Sequence, residues 1–487
     1  MRLTYLAYSF SLTIMYFSFV LLLPILVALY YHEVNAIFPF LISAATALMI
    51  SVTLKKIVRG VSQIKSINDI KKSEGLCVVS FSWIFAAIIA AMPYLFFGFS
   101  PIDALFEATS GITTTGATIL TNFDYPNALF FWRSFTQWLG GMGIIVLFIA
   151  ILPQFAIAGR QMFFAEAPGP TEEKFTPRIK STAAALWKVY AGLTVFEIIL
   201  LKLNGMSGFG SICVSLSSIS GGGLSPNSQS MVGISIPLLW IISYFMFFAG
   251  SSFNLQYKVW TKFNPLLLFK NEEFKVYFSA VMLIAILLSF SLFFNMNYSF
   301  TNSISHAFFQ VTSMASSTGF CSVDYAKWDY VSKLLLFSIM LFGSCASSAG
   351  GGLKVARWLL VFKVMKTEML KILHPKAVCN IKVGNYSVPK EVIDQTLMFV
   401  TFYFVAIALS AFLIGAIEHN TTIAITGTVS SIGNIGAAFG KLCALESFAP
   451  LHCGTKMIII FNMMFGRLEL IPFLVLFQKD FWTLRLK

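Results

Sequence analysis

Residues 101–118 read PIDALFEATSGITTTGAT, a short apolar segment that runs directly into a turn of Thr and Gly. The apolar part, Pro101–Ile112, is too short to cross a bilayer, because a spanning helix needs about 20 apolar residues. Apolar runs of about 10–14 residues are typical of re-entrant segments. The stretch therefore predicts a half-helix that enters the membrane and turns back at residues 113–118.

Three more copies of this pattern follow along the chain. Half-length apolar segments lie at 207–218, 302–313 and 421–431. The four turns read TTTGAT (113–118), ISGGGLS (219–225), SSTGFCS (316–322) and GNIGAAFG (433–440). The central glycines are predicted to be Gly116, Gly222, Gly319 and Gly436, at spacings of 106, 97 and 117 residues. Such spacings exceed any solenoid period and indicate four large units packed about one axis.

Long apolar stretches surround the half-helices. Ten of them are long enough to span a bilayer, at 6–31, 35–54, 77–98, 129–152, 183–203, 235–257, 276–295, 332–363, 392–416 and 455–478. We therefore predict an all-α polytopic membrane protein, in which two N-terminal helices precede four pseudo-symmetric membrane–pore–membrane repeats around a central ion pathway. The predicted divisions are a two-helix region with a basic inner loop (1–72) and repeats at 73–160, 161–270, 271–378 and 379–487.

Composition and charge support a membrane protein of fixed orientation. The 487-residue chain is 57% apolar and only 11% charged, whereas soluble domains carry about 25% charge, so a soluble enzyme, a nucleic-acid binder and a disordered chain are disfavoured. The run at 6–31 is longer than a signal-peptide h-region and indicates a first transmembrane helix. With both termini inside, inner segments hold 26 of the 34 Lys and Arg residues and outer segments hold 6, as the positive-inside rule requires. The four turns then face outward.

Non-helical chain at membrane depth must line water or be buried in protein. Four turns on one axis would present backbone carbonyls that replace the water around a dehydrated cation, and the half-helix C-termini add about −0.5 charge each. The turns carry no acidic ring, which disfavours a divalent-cation site. The alternative interpretation is Gly-rich helix packing. The candidate ion-binding residues are Thr114, Thr115, Gly116, Ser220, Gly221, Gly222, Thr318, Gly319, Asn434, Ile435 and Gly436.

A second unusual feature lies deeper in the membrane. The stretch GSCASSAGGG at 343–352 interrupts an apolar segment, which predicts a loop inside the membrane; a close-packed interface of small residues is the alternative. Arg467 lies at a similar depth in the last helix and is costly there unless it meets water or a partner. We predict a gate in which Arg467 repels the permeating ion, and a structural Arg bonded to loop carbonyls is compatible with it. The candidate gate residues are Gly343, Ser347, Gly350, Gly351, Gly352 and Arg467.

Several long strings carry a family resemblance, among them TSGITTTGAT, FWRSFTQWLGGMG (131–143), SSTGFCSVD, GSCASSAGGGLKVAR and GNIGAAFG. Over essentially its whole length the chain resembles the Trk/Ktr/HKT superfamily of potassium transporters, in its TrkH/TrkG branch. The resemblance implies potassium uptake across the bacterial cytoplasmic membrane, an intramembrane loop, a basic residue in the last helix and one principal glycine per turn. The second turn, SGGGL, departs from the usual pattern, so its central glycine is open within 221–223. The implied potassium ligands are Thr115, Gly116, Gly222, Thr318, Gly319, Ile435 and Gly436.

The resemblance also implies partners. It implies a homodimer that binds a cytosolic nucleotide-binding regulatory subunit of TrkA type. This chain has no GxGxxG unit, so nucleotide control would come from that partner. The basic inner segments 258–275 and 354–390 are candidate docking surfaces, or charge that only sets topology. We expect contact with membrane lipid, no nucleic acid, and no organic cofactor besides the transported potassium ion.

Two other functions agree less well with the sequence. A secondary symporter, coupling potassium or another solute to protons or sodium, favours inverted repeats, whereas these four repeats all start inside. An enzyme is not expected, because the histidines form no HExxH or paired-carboxylate set. Asp103, Glu107, Asp324 and Glu446 either gather cations at the outer mouth or act as solvated and helix-capping carboxylates. Cys443 and Cys453 are either a disulfide pair or two separate thiols.

Overall fold

The computed structural model describes residues 3–59, 72–143, 179–376, 380–384, 386–443 and 445–468. Most of these residues are helical, which confirms the predicted fold class. The first helices are α1 (Leu3–Val20), α2 (Leu23–Tyr30), α3 (Val34–Arg59), α4 (Lys72–Phe96), α5 (Pro101–Ile112), α6 (Asn127–Gly141), α7 (Ile179–Leu203), α8 (Gly208–Ser220) and α9 (Ile236–Ala249). The others are α10 (Phe253–Lys262), α11 (Leu266–Lys270), α12 (Glu272–Asn295), α13 (Phe300–Ala315), α14 (Tyr330–Phe342), α15 (Val355–Leu373), α16 (Lys390–Glu418), α17 (Thr421–Ile432) and α18 (Cys453–Arg467). A small hairpin of β1 (Lys382–Val383) and β2 (Tyr386–Ser387) follows α15.

The membrane-spanning helices agree with the apolar stretches of the sequence. In the part of the chain that the structure describes, six helices are long and apolar enough to cross a membrane, or seven if the bent pair α9–α10 is one span. The ten-span prediction also includes residues beyond 143 and beyond 468 that lie outside the described ranges. The first predicted span is divided into α1 and α2, which begins one residue before Pro24.

One predicted span is sharply bent. The stretch at 235–257 was predicted to be long enough to cross a bilayer, and in the structure it is divided into α9 and α10, which meet at an angle of 103°. The bend falls on Gly250-Ser251-Ser252, where small residues leave room for a change of direction. It exposes backbone carbonyls at the end of α9 that must find partners elsewhere.

Four half-helices define the architecture. They are α5, α8, α13 and α17, and each packs on the transmembrane helix before it in the chain. Each also packs on the helix that follows the turn of the preceding repeat: α8 on α6, α13 on α9, α17 on α14, and α5 on α18. The last of these contacts joins the fourth repeat to the first. The repeats therefore form a closed ring, with the four turns at its centre.

Candidate functional site

The backbone angles give all four turns one common conformation. In each turn two residues with positive φ are separated by a residue without it: Thr114 and Gly116, Gly221 and Gly223, Ser317 and Gly319, Asn434 and Gly436. A positive φ favours glycine, which explains the second residue of every pair. Gly223 therefore occupies the place of Gly116, Gly319 and Gly436. The central glycine of the second turn is one residue later than the predicted Gly222.

Hydrogen bonds support the same alignment. The residue before each central glycine donates its N–H to the carbonyl oxygen of a serine five positions upstream, at 2.8–2.9 Å. The four pairs are Thr115 with Ser110, Gly222 with Ser217, Thr318 with Ser313, and Ile435 with Ser430. Each turn is thus folded back onto the end of its own half-helix in the same way, and the C-terminal end of the helix dipole is directed at the turn.

The four turns contact one another in a closed ring. A side chain on Gly116 would overlap the carbonyl oxygen of Gly222 in the next repeat. The same holds for Gly223 against Thr318, Gly319 against Ile435, and Gly436 against Thr115, where the ring closes. The carbonyls of residues 115, 222, 318 and 435 therefore lie at equivalent positions around one axis. Only glycine leaves space for these carbonyls, so both sterics and φ require it here.

Side chains brace the turns unequally. In the first and third turns a hydroxyl pair stiffens the backbone, with Thr113 and Thr115 at 2.8 Å and Ser316 and Thr318 at 2.7 Å. The second turn is held by Gln137, whose Nε2 donates to the carbonyl oxygen of Gly222 at 2.6 Å. The ring therefore has fourfold backbone geometry with side chains that differ from repeat to repeat.

Asn434 braces the fourth turn with its amide. Its Nδ2 lies 2.9 Å from Thr115 Oγ1 and 2.8 Å from the carbonyl oxygen of Met463. The first contact reaches the first turn and the second reaches α18. This side chain therefore links the fourth repeat to the first.

An open pocket is lined mainly by residues at the central glycines and shortly after them in the chain. All four central glycines line it, together with Arg133 and Glu446. Among the described residues no group of three or more His, Cys, Asp and Glu side chains is placed to hold a metal ion. The backbone carbonyls of Thr115, Gly222, Thr318 and Ile435 are therefore the candidate cation ligands at the ring.

The four acidic residues expected at the mouth have different surroundings. Glu107 is fully buried and its Oε1 accepts from Arg133 Nε at 2.8 Å, so it is a bracing residue. Asp103 pairs with Lys456 at 2.7 Å and Asp324 with Lys327 at 3.3 Å. Of the four, only Glu446 lines the pocket. Cys443 is buried and Cys453 exposed, and the two do not form a disulfide.

The predicted break in the helix is present between α14 and α15. Residues 343–354 form a loop that lies against the bend of α9 and α10. Its N–H groups at Cys345 and Ala349 donate to the carbonyls of Gly250 and Ala249 at 2.9 and 3.1 Å. The bend in one repeat and the loop of the next thus satisfy each other's backbone.

The same loop reaches the turns. The N–H of Gly351 donates to Ser317 Oγ at 2.7 Å, and a side chain on Gly350 would lie 2.7 Å from the carbonyl oxygen of Ser316. Gly351 also leaves room for Asn434. The loop therefore lies against residues that precede the central glycines, whereas the pocket is lined by residues at and after them.

Two cations hold the loop in place. Arg467 Nη1 donates to the carbonyl oxygen of Ala349 at 2.7 Å, and its Nη2 donates to the carbonyls of Gly140 and Gly141 at 2.6 and 2.9 Å. Lys354 Nζ donates to the carbonyl oxygen of Gly350 and lies 3.2 Å from Ser344 Oγ. Glu273 Oε1 accepts from the N–H of Ala346 at 2.5 Å.

Comparison with known proteins decides the family. The family model described as TrkH, cation transport protein, matches residues 44–483. The chain belongs to the TrkH family. A family of cation transport proteins agrees with the expectation that the chain is not an enzyme.

Named relatives of this TrkH-family chain cover most of it. The Trk system potassium uptake protein TrkH of Salmonella typhimurium is 36% identical, with 85% of this chain and 87% of that protein aligned. TrkG of Escherichia coli is 30% identical over 96% of both chains. The crystal structure of the potassium transporter TrkH from Vibrio parahaemolyticus is similar at a TM-score of 0.88 and 30% identity, covering 99% of this chain and all of that one.

Several residues of the TrkH-family site have bracing roles that the sequence did not indicate. Glu107 and Arg133 brace the first turn, Gln137 braces the second, and Lys354 and Glu273 fix the loop. Lys354 could have been found from its place directly after the GGGL string. The partners of the others come from distant parts of the chain, and no local pattern announces them.

Proposed function

We propose that this TrkH-family chain takes up potassium across the bacterial cytoplasmic membrane through a channel-like pore with a backbone-carbonyl filter. The observation that carries the proposal is the closed ring of four turns, in which each central glycine faces the carbonyl of the next repeat. Such a ring offers oxygen ligands to one dehydrated monovalent cation on the axis. Four half-helix C-termini add about −0.5 charge each and favour that cation.

Potassium as the ion is supported by the relatives. TrkH of Salmonella typhimurium and TrkG of Escherichia coli are both named potassium uptake proteins. The proposed ligands are the carbonyls of the equivalent residues Thr115, Gly222, Thr318 and Ile435 and of the central glycines, with Gly223 taking the central place in the second turn. Thr114, Ser220, Gly221 and Asn434 then shape the turns.

The proposed gate is the intramembrane loop with Arg467. The loop residues Gly350 and Gly351 lie directly against the third and fourth turns, and Arg467 joins the loop to the end of α6. Gly343, Ser347 and Gly352 have positive φ and give the loop its compact shape. A guanidinium close to the path raises the barrier for a cation, and movement of the loop would lower it.

The proposed assembly is a homodimer with both termini cytoplasmic, a surrounding layer of lipid, and a nucleotide-binding regulatory subunit of TrkA type on the cytoplasmic face. The excess of Lys and Arg on the inner segments supports the orientation. The basic segments 258–275 and 354–390 are the proposed docking surfaces for the regulatory subunit.

Rubidium tracer flux into vesicles that contain the purified chain tests the proposal. We expect uptake that potassium competes for and that Gly319→Asp abolishes, because the new side chain would overlap the carbonyl of Ile435. Gly192→Ala is the matched control, since its new Cβ meets only Trp260 at an ordinary 3.5 Å. A wild-type chain that binds an amino acid and passes no rubidium would instead indicate a solute transporter.

A further inference from the structure

We infer that four hydrogen bonds between neighbouring repeats, each made two residues after a central glycine, form a collar that fixes the diameter of the filter and thereby its preference for potassium over sodium. The inference rests on the proposed function, because it concerns the selectivity of that pore. The collar adds bracing residues that contact the backbone of the turns rather than the ion.

The acceptors of the collar are four equivalent carbonyls. They belong to Thr118, Ser225, Cys321 and Ala438, each two residues after its central glycine. The donors are Phe448 N–H to Thr118 at 2.8 Å, Arg133 Nη1 to Ser225 at 3.3 Å, Met231 N–H to Cys321 at 3.0 Å, and Tyr325 Oη to Ala438 at 2.9 Å. Two residues after every central glycine, the backbone carbonyl is thus hydrogen-bonded to another repeat.

The four bonds run in one direction around the axis. The fourth repeat holds the first, the first holds the second, the second holds the third and the third holds the fourth. The donors are of three kinds: two are backbone amides, one is a guanidinium and one is a phenol. Equivalent acceptors served by unrelated donors indicate that the position of the bond, and not the kind of side chain, is what the four repeats have in common.

Each side-chain donor is itself firmly held. Arg133 is 2% exposed and bound to Glu107, and its Nη2 lies 3.0 Å from Thr118 Oγ1. Tyr325 is fully buried, with its ring edge on Phe439 at 5.5 Å between centroids. Donors locked by packing leave the bonded carbonyls little freedom to move.

The consequence concerns the ring of carbonyls at residues 115, 222, 318 and 435. A carbonyl that is hydrogen-bonded to the neighbouring repeat cannot move independently, so the ring carbonyls two and three residues earlier keep their separation across the axis. Selectivity in a carbonyl filter depends on the number and placement of the oxygens around the ion. Because sodium is smaller than potassium, a ring that can contract would accept it more readily. The collar therefore acts against sodium by preventing contraction.

Tyr325→Phe is the test, since it removes the phenol donor and keeps the ring. We expect the potassium-to-sodium flux ratio in vesicles to fall about fivefold, which corresponds to about 1 kcal/mol, with the amount of folded protein unchanged. Tyr403→Phe, a buried tyrosine on α16 that stacks on Phe399, is the matched control and keeps the wild-type ratio.

Ser230→Ala provides a second, independent test. Ser230 Oγ accepts from the N–H of Cys321 at 3.2 Å, so its loss loosens the joint between the second and third repeats, and the flux ratio falls here as well. Unchanged ratios in conducting Tyr325→Phe and Ser230→Ala variants overturn the collar alone. A wild-type chain that carries no rubidium overturns the proposed function, and the collar's role with it.

Discussion

The second turn contains three consecutive glycines, residues 221–223, which require glycine for different reasons. The sequence alone therefore does not show which of them is the central glycine. Gly221 and Gly223 both have positive φ, whereas Gly222 does not. Three identical residues in a row offer no local signal of which one faces the next repeat. Contact between Gly223 and the carbonyl of Thr318, which is distant in sequence, makes that distinction.

Gly223→Ala is expected to reduce rubidium flux roughly 10- to 100-fold, because the alanine is strained at φ +74° and overlaps the carbonyl of Thr318. Gly222 has no positive φ, so Gly222→Ala adds no backbone strain and displaces the Gln137 side chain rather than a backbone carbonyl; its loss of flux is expected to be smaller. Flux per folded protein in vesicles measures both. A greater loss for Gly222→Ala than for Gly223→Ala would return the central position to Gly222.

The buried pair of Glu107 and Arg133 shows what composition cannot reveal. Glu107 was expected either to gather cations or to act as an ordinary solvated or capping carboxylate, yet it lies behind the first turn and accepts from Arg133 and from the N–H of Ile119 at 3.0 Å. The third repeat has a neutral side chain at the equivalent position, where Gln310 accepts from the N–H of Ser322 at 3.0 Å. The shared task is to hold the backbone three residues after a central glycine.

Glu107→Gln is expected to destabilise the protein by about 3–5 kcal/mol, because it leaves the guanidinium of Arg133 buried without its carboxylate. The thermal midpoint of purified protein in detergent measures this. Lys327→Gln is the control: Lys327 is 81% exposed in its pair with Asp324, so the midpoint changes little. Equal midpoints for both variants would contradict the bracing role.

At the scale of elements, the sequence predicts a helix well where its end signals are local. The half-helix α5 has the predicted bounds Pro101–Ile112, because Ser100 caps it through the N–H of Asp103 at 3.2 Å and Pro101 occupies its first position. The bend between α9 and α10 was missed for the opposite reason. Its backbone groups are satisfied by the loop about 95 residues later, and no local pattern shows that contact.

Freeing the intramembrane loop is expected to increase flux. Arg467→Ala removes both the hydrogen-bond donor to Ala349 and a positive charge. A charge about 8 Å from the permeating ion, at an effective dielectric of about 20, raises the barrier to permeation by ~2 kcal/mol, which slows it about 30-fold. Lys354→Met removes the donor to Gly350 and is expected to act in the same direction.

Rubidium flux in vesicles without a partner protein measures the effect of both loop variants. Lys188→Met, an exposed lysine on α7, is the control for loss of a membrane-embedded cation. Unchanged or lower flux in folded Arg467→Ala protein would leave Arg467 a structural residue only.

At the scale of the whole molecule, the four repeats form one unit to which the N-terminal helices are attached. Glu33, between α2 and α3, accepts from the backbone N–H groups of Asn127 and Ala128 at 2.7 and 3.1 Å. It thereby caps the start of α6 in the first repeat. The pattern of apolar stretches predicted that the two extra helices exist, but the contact that joins them to the ring crosses about 94 residues and could not be read from it.

Glu33→Gln is expected to lower the stability by about 1 kcal/mol, because it weakens a charged cap at a helix N-terminus, while the potassium-to-sodium flux ratio stays at the wild-type value. Glu391→Gln, in the exposed first turn of α16, is the control. Thermal midpoints and flux ratios measure the two effects separately. A changed ratio would mean that the N-terminal helices shape the filter as well.

The central claim is that four turns offer their carbonyls to one monovalent cation. Anomalous diffraction from crystals of the protein grown in rubidium tests it most directly, because it locates the ion without reference to activity. We expect a peak on the axis, equidistant from the carbonyl oxygens of Thr115, Gly222, Thr318 and Ile435. A strong peak elsewhere in the chain, with none on this axis, would contradict it.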